Sequence, residues 1–255
     1  MSPKIAAIIP ARMAASRFPG KPLLEVAGLP MVEHVRRRVS LSEAFSDIAV
    51  ATCDTEIADV VQSHGGQVIM TSPEHEAATD RVAEAMAQVD CTHVVNVQGD
   101  EILVLPEDLQ TLVQAIADRP DVPAWNAVSR IEHVDELTDP SMVKCVVSKT
   151  KRVLFCSRDF AFLGFDEGPF EPVRKILGIL AYSGPFLARY NQMERTPLEL
   201  LGSIDQSRII ENDVVLQTVE WPRGYPGINY PREVAVVEKY LEEDELQRAI
   251  LARIS

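Results

Sequence analysis

The chain has 255 residues, with 38 acidic against 25 basic side chains and a formal net charge of −13. That length buries a full α/β core without staples, and the charge argues against nucleic acid as a partner, so an anionic small substrate needs a local basic loop or a metal ion. The four cysteines, Cys53, Cys91, Cys145 and Cys156, lie far apart with no C-x-x-C pair, which argues against a disulfide frame or a zinc site and for a reducing cytoplasm. No apolar run reaches membrane-spanning length, and the run ending at Pro10 is too short for a signal segment, so a soluble cytoplasmic protein is expected.

In chain order, residues 5–9, 48–52, 67–70 and 94–98 are short apolar runs. Helical stretches at residues 30–39, 56–63 and 79–89 alternate with them, the last placing Val82, Met86 and Val89 at helical spacing behind a Thr79 cap. Such alternation predicts a parallel sheet covered on both faces. Past residue 120 the predicted strands become adjacent, at residues 124–130, 142–147, 152–157 and 176–182, which predicts a mixed or antiparallel extension of the sheet. Residues 231–254 read as one long charged helix with Val234, Val237, Tyr240 and Leu241 apolar. No internal repeat or low-complexity linker interrupts the chain, so a single α/β unit over residues 1–255 is expected.

Residues 10–23 read PARMAASRFPGKPL directly after the first predicted strand. They put Arg12, Arg17 and Lys21 at the carboxyl edge of a parallel sheet, where open α/β sheets bind ligands. A triphosphate carries roughly four negative charges, and fixed guanidinium and ammonium groups stabilise a leaving pyrophosphate. The loop matches neither the phosphate-binding G-x-x-x-x-G-K-[ST] nor the dinucleotide G-x-G-x-x-G pattern. On its own it also reads as a solvated Pro/Gly loop with three incidental charges. The fourth strand runs into Gln98-Gly99-Asp100, which sets a carboxylate at the same sheet edge. Mg²⁺ takes oxygen ligands and bridges one or two carboxylates to substrate phosphates, so Asp100 is the first metal candidate. The plainer reading is that Gly99-Asp100 merely turns the chain. Residues 71–81, TSPEHEAATDR, lead into a helix whose first N–H groups, at Ala78, Thr79 and Asp80, are suited to read a base edge. Arg81 is open to a part in that recognition or to a structural salt bridge. The five histidines form no Ser-His-Asp or Cys-His set, so no covalent nucleophile is indicated.

With these motifs the chain resembles the CMP-Kdo synthetase (3-deoxy-manno-octulosonate cytidylyltransferase) family. IIPARMAASRFPGKPL, MVEHV, VATCDTEIADVV, GGQVIMTSPEH, TDRVAEA and VVNVQGDE stand in that family's order and spacing, followed by VKCVVS, FCSR and LGILAY. The resemblance spans nearly the whole chain and is most specific in its first hundred residues. It implies a Rossmann-like nucleotidyltransferase whose antiparallel extension carries an acceptor lobe, with a nucleotide-binding half at residues 1–120, an acceptor and dimerisation lobe at 121–230 and a C-terminal helix at 231–255. The implied reaction is Mg²⁺-dependent transfer of CMP from CTP to a small acidic acceptor, by a homodimer. The implied nucleotide ligands are Arg12, Ser16, Arg17 and Lys21 on the phosphates and Ala78, Thr79, Asp80 and Arg81 around the base. Lys21, Arg12 and Asp100 are then the catalytic groups, and Gln98, Arg158, Gln206 and Arg208 the acceptor contacts.

Three departures from the family pattern bear on function. The family's His-(Ile/Leu)-Gly-Ile-Tyr-Ala-Tyr reads here from Ile176 to Tyr182 with Ile176 and Leu180 in place of the His and the first Tyr. This is either a local core swap or the mark of a different acceptor, because losing hydrogen-bonding groups weakens a polyhydroxylated ligand. The family's second metal carboxylate is here Asn229, whose neutral amide still ligates Mg²⁺ but neutralises no charge. Ala77-Ala78 stands where the family has Ser-Gly, which changes the base-reading loop. Two alternatives stay beside the leading reading: a phosphonate or sugar phosphate as acceptor, and a non-catalytic CTP-binding module.

Overall fold

The computed structural model describes residues 3–14, 18–75 and 77–255. The chain divides into two compact units, one formed by Met1–Gln114 with Tyr225–Ser255 and the other by Ala115–Gly224.

The first unit opens with β1 (Ile5–Pro10), all six residues of which are buried. A hairpin of β2 (Glu25–Val26) and β3 (Leu29–Pro30) follows, its turn made by Ala27 and Gly28 at φ 48° and 79°. Two successive left-handed residues match the twist of a tight hairpin, and only glycine takes that conformation without strain. Then come α1 (Met31–Ser40), β4 (Asp47–Thr52), α2 (Thr55–Ser63), β5 (Gln67–Met70), α3 (Ala78–Met86), β6 (His93–Val97) and α4 (Pro106–Asp118), in which the division between the units falls. The strands lie in the order β6-β1-β4-β5 and every pairing is parallel. Apolar runs mark β1 and β6 because neighbours and helices cover them, whereas β5, paired to β4 at the end of the row, buries only Ile69. Each helix applies an apolar stripe to the sheet, as with Ile57, Ala58 and Val61 of α2. The expected β-α-β-α-β-α-β order is present, and the β2–β3 hairpin and α4 are additional to it.

The second unit holds β7 (Ala124–Arg130), β8 (Lys144–Val147), β9 (Val153–Ser157), β10 (Val173–Ser183), α5 (Gly184–Tyr190), α6 (Pro197–Gly202), α7 (Gln206–Glu211) and β11 (Leu216–Glu220). Strand β10 pairs antiparallel with both β7 and β8, β8 pairs antiparallel with β9, and β11 runs parallel to β7. This is the mixed pairing predicted past residue 120, and the α/β class with mainly parallel strands and an antiparallel addition is the observed one. The helices α5 to α7 and strand β11 had no counterpart in the sequence pattern.

The C-terminal segment returns to the first unit as α8 (Val234–Glu243) and α9 (Glu245–Ile254). The single long helix expected over residues 231–254 is therefore two helices. Asp244 breaks it by taking an extended conformation (φ −78°, ψ 124°), and its carboxylate caps the second helix at Gln247 N–H. Val237 and Leu241 pack in one cluster with Val26, Met31, Ile102, Leu103 and Ile228. The α9 helix is pinned to α1 by the buried Arg38, which donates to Gln247 Oε1 at 2.8 Å, while Gln247 Nε2 donates to Leu103 O at 2.9 Å. Among the described residues no helix is long and apolar enough to cross a membrane, and Cys53, Cys91, Cys145 and Cys156 are all free thiols.

Candidate active site

In the first unit the loop after β1 is built from its backbone outward. Ala11 N–H donates to Ala51 O at 2.9 Å, Met13 N–H to the Asp54 carboxylate at 2.7 Å and Gly20 N–H to Met13 O at 3.0 Å, so the loop closes on itself between residues 13 and 20. Asp54 precedes α2 in the position of a cap, yet it makes no capping hydrogen bond and holds the loop instead. Ser16 and Arg17, expected on the phosphates, lie outside the described residues.

Arg12 is exposed and donates to His75 O at 3.3 Å. His75 Nε2 meets Glu84 at 2.5 Å, and Glu84 also accepts from Ser72 N–H at 2.9 Å. That backbone donor, with His75 beside it, holds the Glu84 carboxyl below its ordinary pKa. These contacts shape a cleft of about 90 Å³ lined by Pro10, Ala11, Arg12, His75, Ala77, Ala78 and Arg81. The cap of α3 is Ala77, extended at φ −103° and ψ 149°, so Thr79 is not the cap but a buried residue of the first turn. Ala77 offers no side-chain cap, so among the described residues the first-turn N–H groups of Ala78, Thr79 and Asp80 are open to another acceptor. Arg81 is buried and donates to Thr71 Oγ1 and, at 3.4 Å, to Cys53 Sγ. Of the two roles left open for it, the structure adds hydrogen bonds to a hydroxyl and a thiol, and it also lines the cleft.

Strand β6 ends at Val97, one residue earlier than expected, and Gln98-Gly99-Asp100 forms the turn beyond it, with Glu101 N–H donating to Gln98 O at 3.0 Å. Asp100 Oδ2 receives a hydrogen bond from Lys21 Nζ at 3.1 Å, the two side chains being 18% and 15% exposed. Lys21 Nζ also donates to Ile228 O at 2.8 Å, and Ile228 N–H reaches Asp100 O at 3.3 Å. A Cβ at Gly227 would stand 2.7 Å from Asp100 O, so only glycine lets this segment approach so closely. Ile228 is fully buried, which anchors the segment and carries Asn229 to the neighbourhood of Asp100 and Lys21. Glu233 fixes the backbone there, accepting from Asn229 N–H at 2.5 Å and Tyr230 N–H at 3.0 Å. The half-buried Asn229 side chain has no hydrogen-bond partner among the described residues.

This donor set fits a divalent cation of the Mg²⁺ kind. One carboxylate and one amide oxygen lie on adjoining segments, and such an ion keeps several waters and completes its shell with substrate phosphate. It does not fit an all-protein cage: among the described residues no group of three or more His, Cys, Asp or Glu could hold a metal.

In the second unit the three remaining acceptor candidates differ in their surroundings. Arg158 is half-buried, and its guanidinium donates to Gly202 O, Pro140 O, Ser141 O and Ser203 O at 3.0–3.4 Å. Gln206 begins α7, is 7% exposed, and donates to Asn126 Oδ1 at 2.9 Å. Arg208 is engaged from both ends: Glu199 takes two of its hydrogen bonds, at 2.7 and 2.5 Å, and its guanidinium lies 4.4 Å over the Tyr190 ring. A buried fork-to-fork ion pair holds α7 to α6, a structural duty the sequence did not reveal. Leu180 is 2% exposed and packs as core, whereas Ile176 is half-buried.

A family model described as cytidylyltransferase matches residues 6–217. The chain belongs to the cytidylyltransferase family. It is 35% identical to a 3-deoxy-manno-octulosonate cytidylyltransferase of Syntrophotalea carbinolica over 245 residues, covering 93% of this chain and 98% of that one. The Escherichia coli protein of the same name is 34% identical over 248 residues, with 96% and 99% coverage. Among solved structures, a CMP:2-keto-3-deoxy-manno-octonic acid synthetase complexed with CTP superimposes with a TM-score of 0.87 at 33% identity, covering 94% of this chain and 99% of that one. The protein is thus a nucleotidyltransferase of the CMP-Kdo synthetase kind with a Rossmann-like fold, as the opening motifs implied.

Asp54, Glu84, Glu199, Glu233 and Asn126 are polar residues of these regions that sequence reasoning missed. Asp54 lies within the VATCDTEIADVV motif, but an Asp before a helix reads as a cap. The contacts of the others are long-range or carry no local pattern.

Proposed function

We propose that the protein transfers CMP from CTP to 3-deoxy-manno-octulosonate or a closely related acidic sugar, with Mg²⁺ as cofactor and pyrophosphate as the second product. The observation that carries this reading is the meeting of Lys21, Asp100 and the 227–229 segment at the carboxyl edge of the β6-β1-β4-β5 sheet. The names of the relatives support the acceptor. An acceptor oxygen attacks the α-phosphorus in line, the bond from that phosphorus to the bridging oxygen breaks, and pyrophosphate leaves. Lys21, whose ammonium already neutralises Asp100, and the exposed Arg12 stabilise charge on the leaving group. The α3 first turn and the cleft beside it read the cytosine edge. Asp100 and Asn229 would hold the Mg²⁺, which supplies Lewis-acid polarisation of the phosphoryl oxygens when bound. The acceptor contacts implied by the resemblance are Gln98 in the first unit and, in the second, Arg158 and Gln206.

A phosphonate or sugar-phosphate acceptor is the second reading, favoured by Ile176, which is half-buried and offers no hydrogen bond where the family has a His. The homodimer implied by the resemblance is supported by exposed apolar residues of the second unit, among them Phe162 at 69% and Leu201 at 84%. The deciding experiment is mass-spectrometric detection of a CMP conjugate and of pyrophosphate after incubation with CTP, Mg²⁺ and a panel of sugar acids, phosphonates and sugar phosphates. Product with the sugar acids supports the first reading, product with phosphonates or sugar phosphates alone the second. CTP binding without product with any of them overturns both in favour of a non-catalytic CTP-binding module.

A further inference from the structure

Asn126 lies in β7, is fully buried, and takes no direct part in the proposed reaction. Beside it the antiparallel ladder of β7 and β10 slips. Ile176 pairs with Val128 and Leu180 with Asn126, so Leu177, Gly178 and Ile179 stand opposite Ala127 alone. Such a bulge takes carbonyls out of the ladder and bends the strand, a device that re-aims side chains beside binding sites. The Asn126 amide repairs the gap: Nδ2 donates to Leu177 O at 2.9 Å, Ile179 O at 3.2 Å and Ala127 O at 2.9 Å. Carbonyls accept only, so the NH₂ end of the amide must face them, and Oδ1 must face the other way.

That fixed Oδ1 sets the polarity of its neighbour. Gln206 can meet an acceptor-only oxygen solely with its own NH₂, and Nε2 donates to Asn126 Oδ1 at 2.9 Å. The Gln206 carbonyl oxygen Oε1 is then the atom left for another group, and no described residue donates to it.

We infer that Asn126 is a positioning residue of the acceptor subsite, holding the β10 bulge and Gln206 in one polarity so that Gln206 presents an oxygen to a substrate hydroxyl or ammonium donor. The inference rests on Gln206 contacting the acceptor, as proposed above. It requires the acceptor to carry a donor group at that point and not a bare phosphate oxygen, which two facing acceptors would repel.

The test is steady-state kinetics with Kdo, or with whichever panel acid is turned over, on Asn126→Ala, Gln206→Met and the double variant. Asn126→Ala raises the KM for the acceptor about tenfold, the cost of one misplaced hydrogen bond, and leaves kcat and the KM for CTP within about threefold. Gln206→Met shows the same split, and the double variant is no worse than the worse single one, because Asn126 acts through Gln206. Should Asn126→Ala not fold, Asn126→Val suits a strand, offers Gln206 no acceptor, and the same split is read from it. An active parent whose folded Asn126 variants match it in acceptor KM overturns this inference alone, and additive effects in the double variant overturn action through Gln206. A parent that makes no CMP conjugate with any acceptor overturns the proposed function itself, and this inference with it.

Discussion

Replacing Asn229 by aspartate tests the proposal that this position ligates Mg²⁺. The Asn229 side chain has no partner among the described residues, and its backbone is already fixed by Glu233 at 2.5 Å, so the substitution conserves volume and breaks no contact. It adds a carboxylate to a neighbourhood that holds Asp100, Glu233 and one ammonium, Lys21. Attraction between a carboxylate and a divalent ion in contact is large in raw terms, but desolvation cancels most of it, leaving a gain of about 1–3 kcal/mol. Repulsion from Glu233 lowers the expectation to about 1–2 kcal/mol, roughly 5- to 30-fold in metal affinity. The same repulsion, unrelieved without metal, should cost the metal-free protein about 0.5–1 kcal/mol of stability. The assay is the Mg²⁺ concentration for half-maximal conjugate formation, paired with urea unfolding in the presence of a chelator. Overlaying Mg²⁺ titrations for parent and variant would show that residue 229 points away from the metal and refute Asn229 as a ligand alongside Asp100.

Lys21→Ala and Asp100→Ala should each retain less than about a tenth of parental turnover, a loss above ~1.4 kcal/mol, with Lys21→Ala also weakening CTP binding without metal and Asp100→Ala acting mainly on the Mg²⁺ titration. More than a tenth of the activity in either variant contradicts an essential role. Asp54→Ala frees Met13 N–H and should raise the KM for CTP a few-fold, about 1 kcal/mol for one lost hydrogen bond to a charged acceptor, with kcat little changed; an unchanged KM would mean the loop is held elsewhere. His34 is fully buried with Nε2 on Val26 O at 2.6 Å, and burial pushes its pKa down to about 4. The unfolded chain therefore takes up a proton that the folded one refuses as pH falls from about 6.5 to 4, so this contribution to stability is complete above pH 6.5 and is lost across that window, up to about 3 kcal/mol. His34→Gln, which still donates to Val26 O, should flatten the dependence of urea unfolding on pH between 7 and 4; equal slopes for parent and variant would exclude His34 as its source.

The parts of the fold legible in the sequence are those whose burial is two-sided or strictly periodic. Strands β1 and β6 announced themselves because parallel strands covered on both faces have no reason to alternate. The C-terminal stretch misled for the complementary reason: Val237 and Leu241 keep helical spacing up to the break, and nothing in the period shows that Asp244 leaves the helix to cap the next one. In the second unit the apolar run of β10 carried no trace of its bulge, which depends on an amide in another strand. The contacts that bring Lys21, Asp100 and residues 227–229 together lie furthest from any local pattern, since Lys21 and Ile228 are 207 positions apart. Periodicity reports which face of an element is buried and is silent about which distant loop meets it, so Asp100 and Asn229 were joined only through the family resemblance.

The surroundings of the departures then give them different weights. Leu180 is 2% exposed, so the packing of β10 demands an apolar group there whatever the acceptor is, and its identity says little about substrate. Asn229 is half-buried with no partner for its amide among the described residues, so packing leaves its chemistry open and its neutrality needs a functional account. A substitution at a position the core dictates mainly reads out stability, whereas one at a position the core leaves open reads out the ligand. Of these two departures, position 229 is therefore the one whose reversal interrogates catalysis.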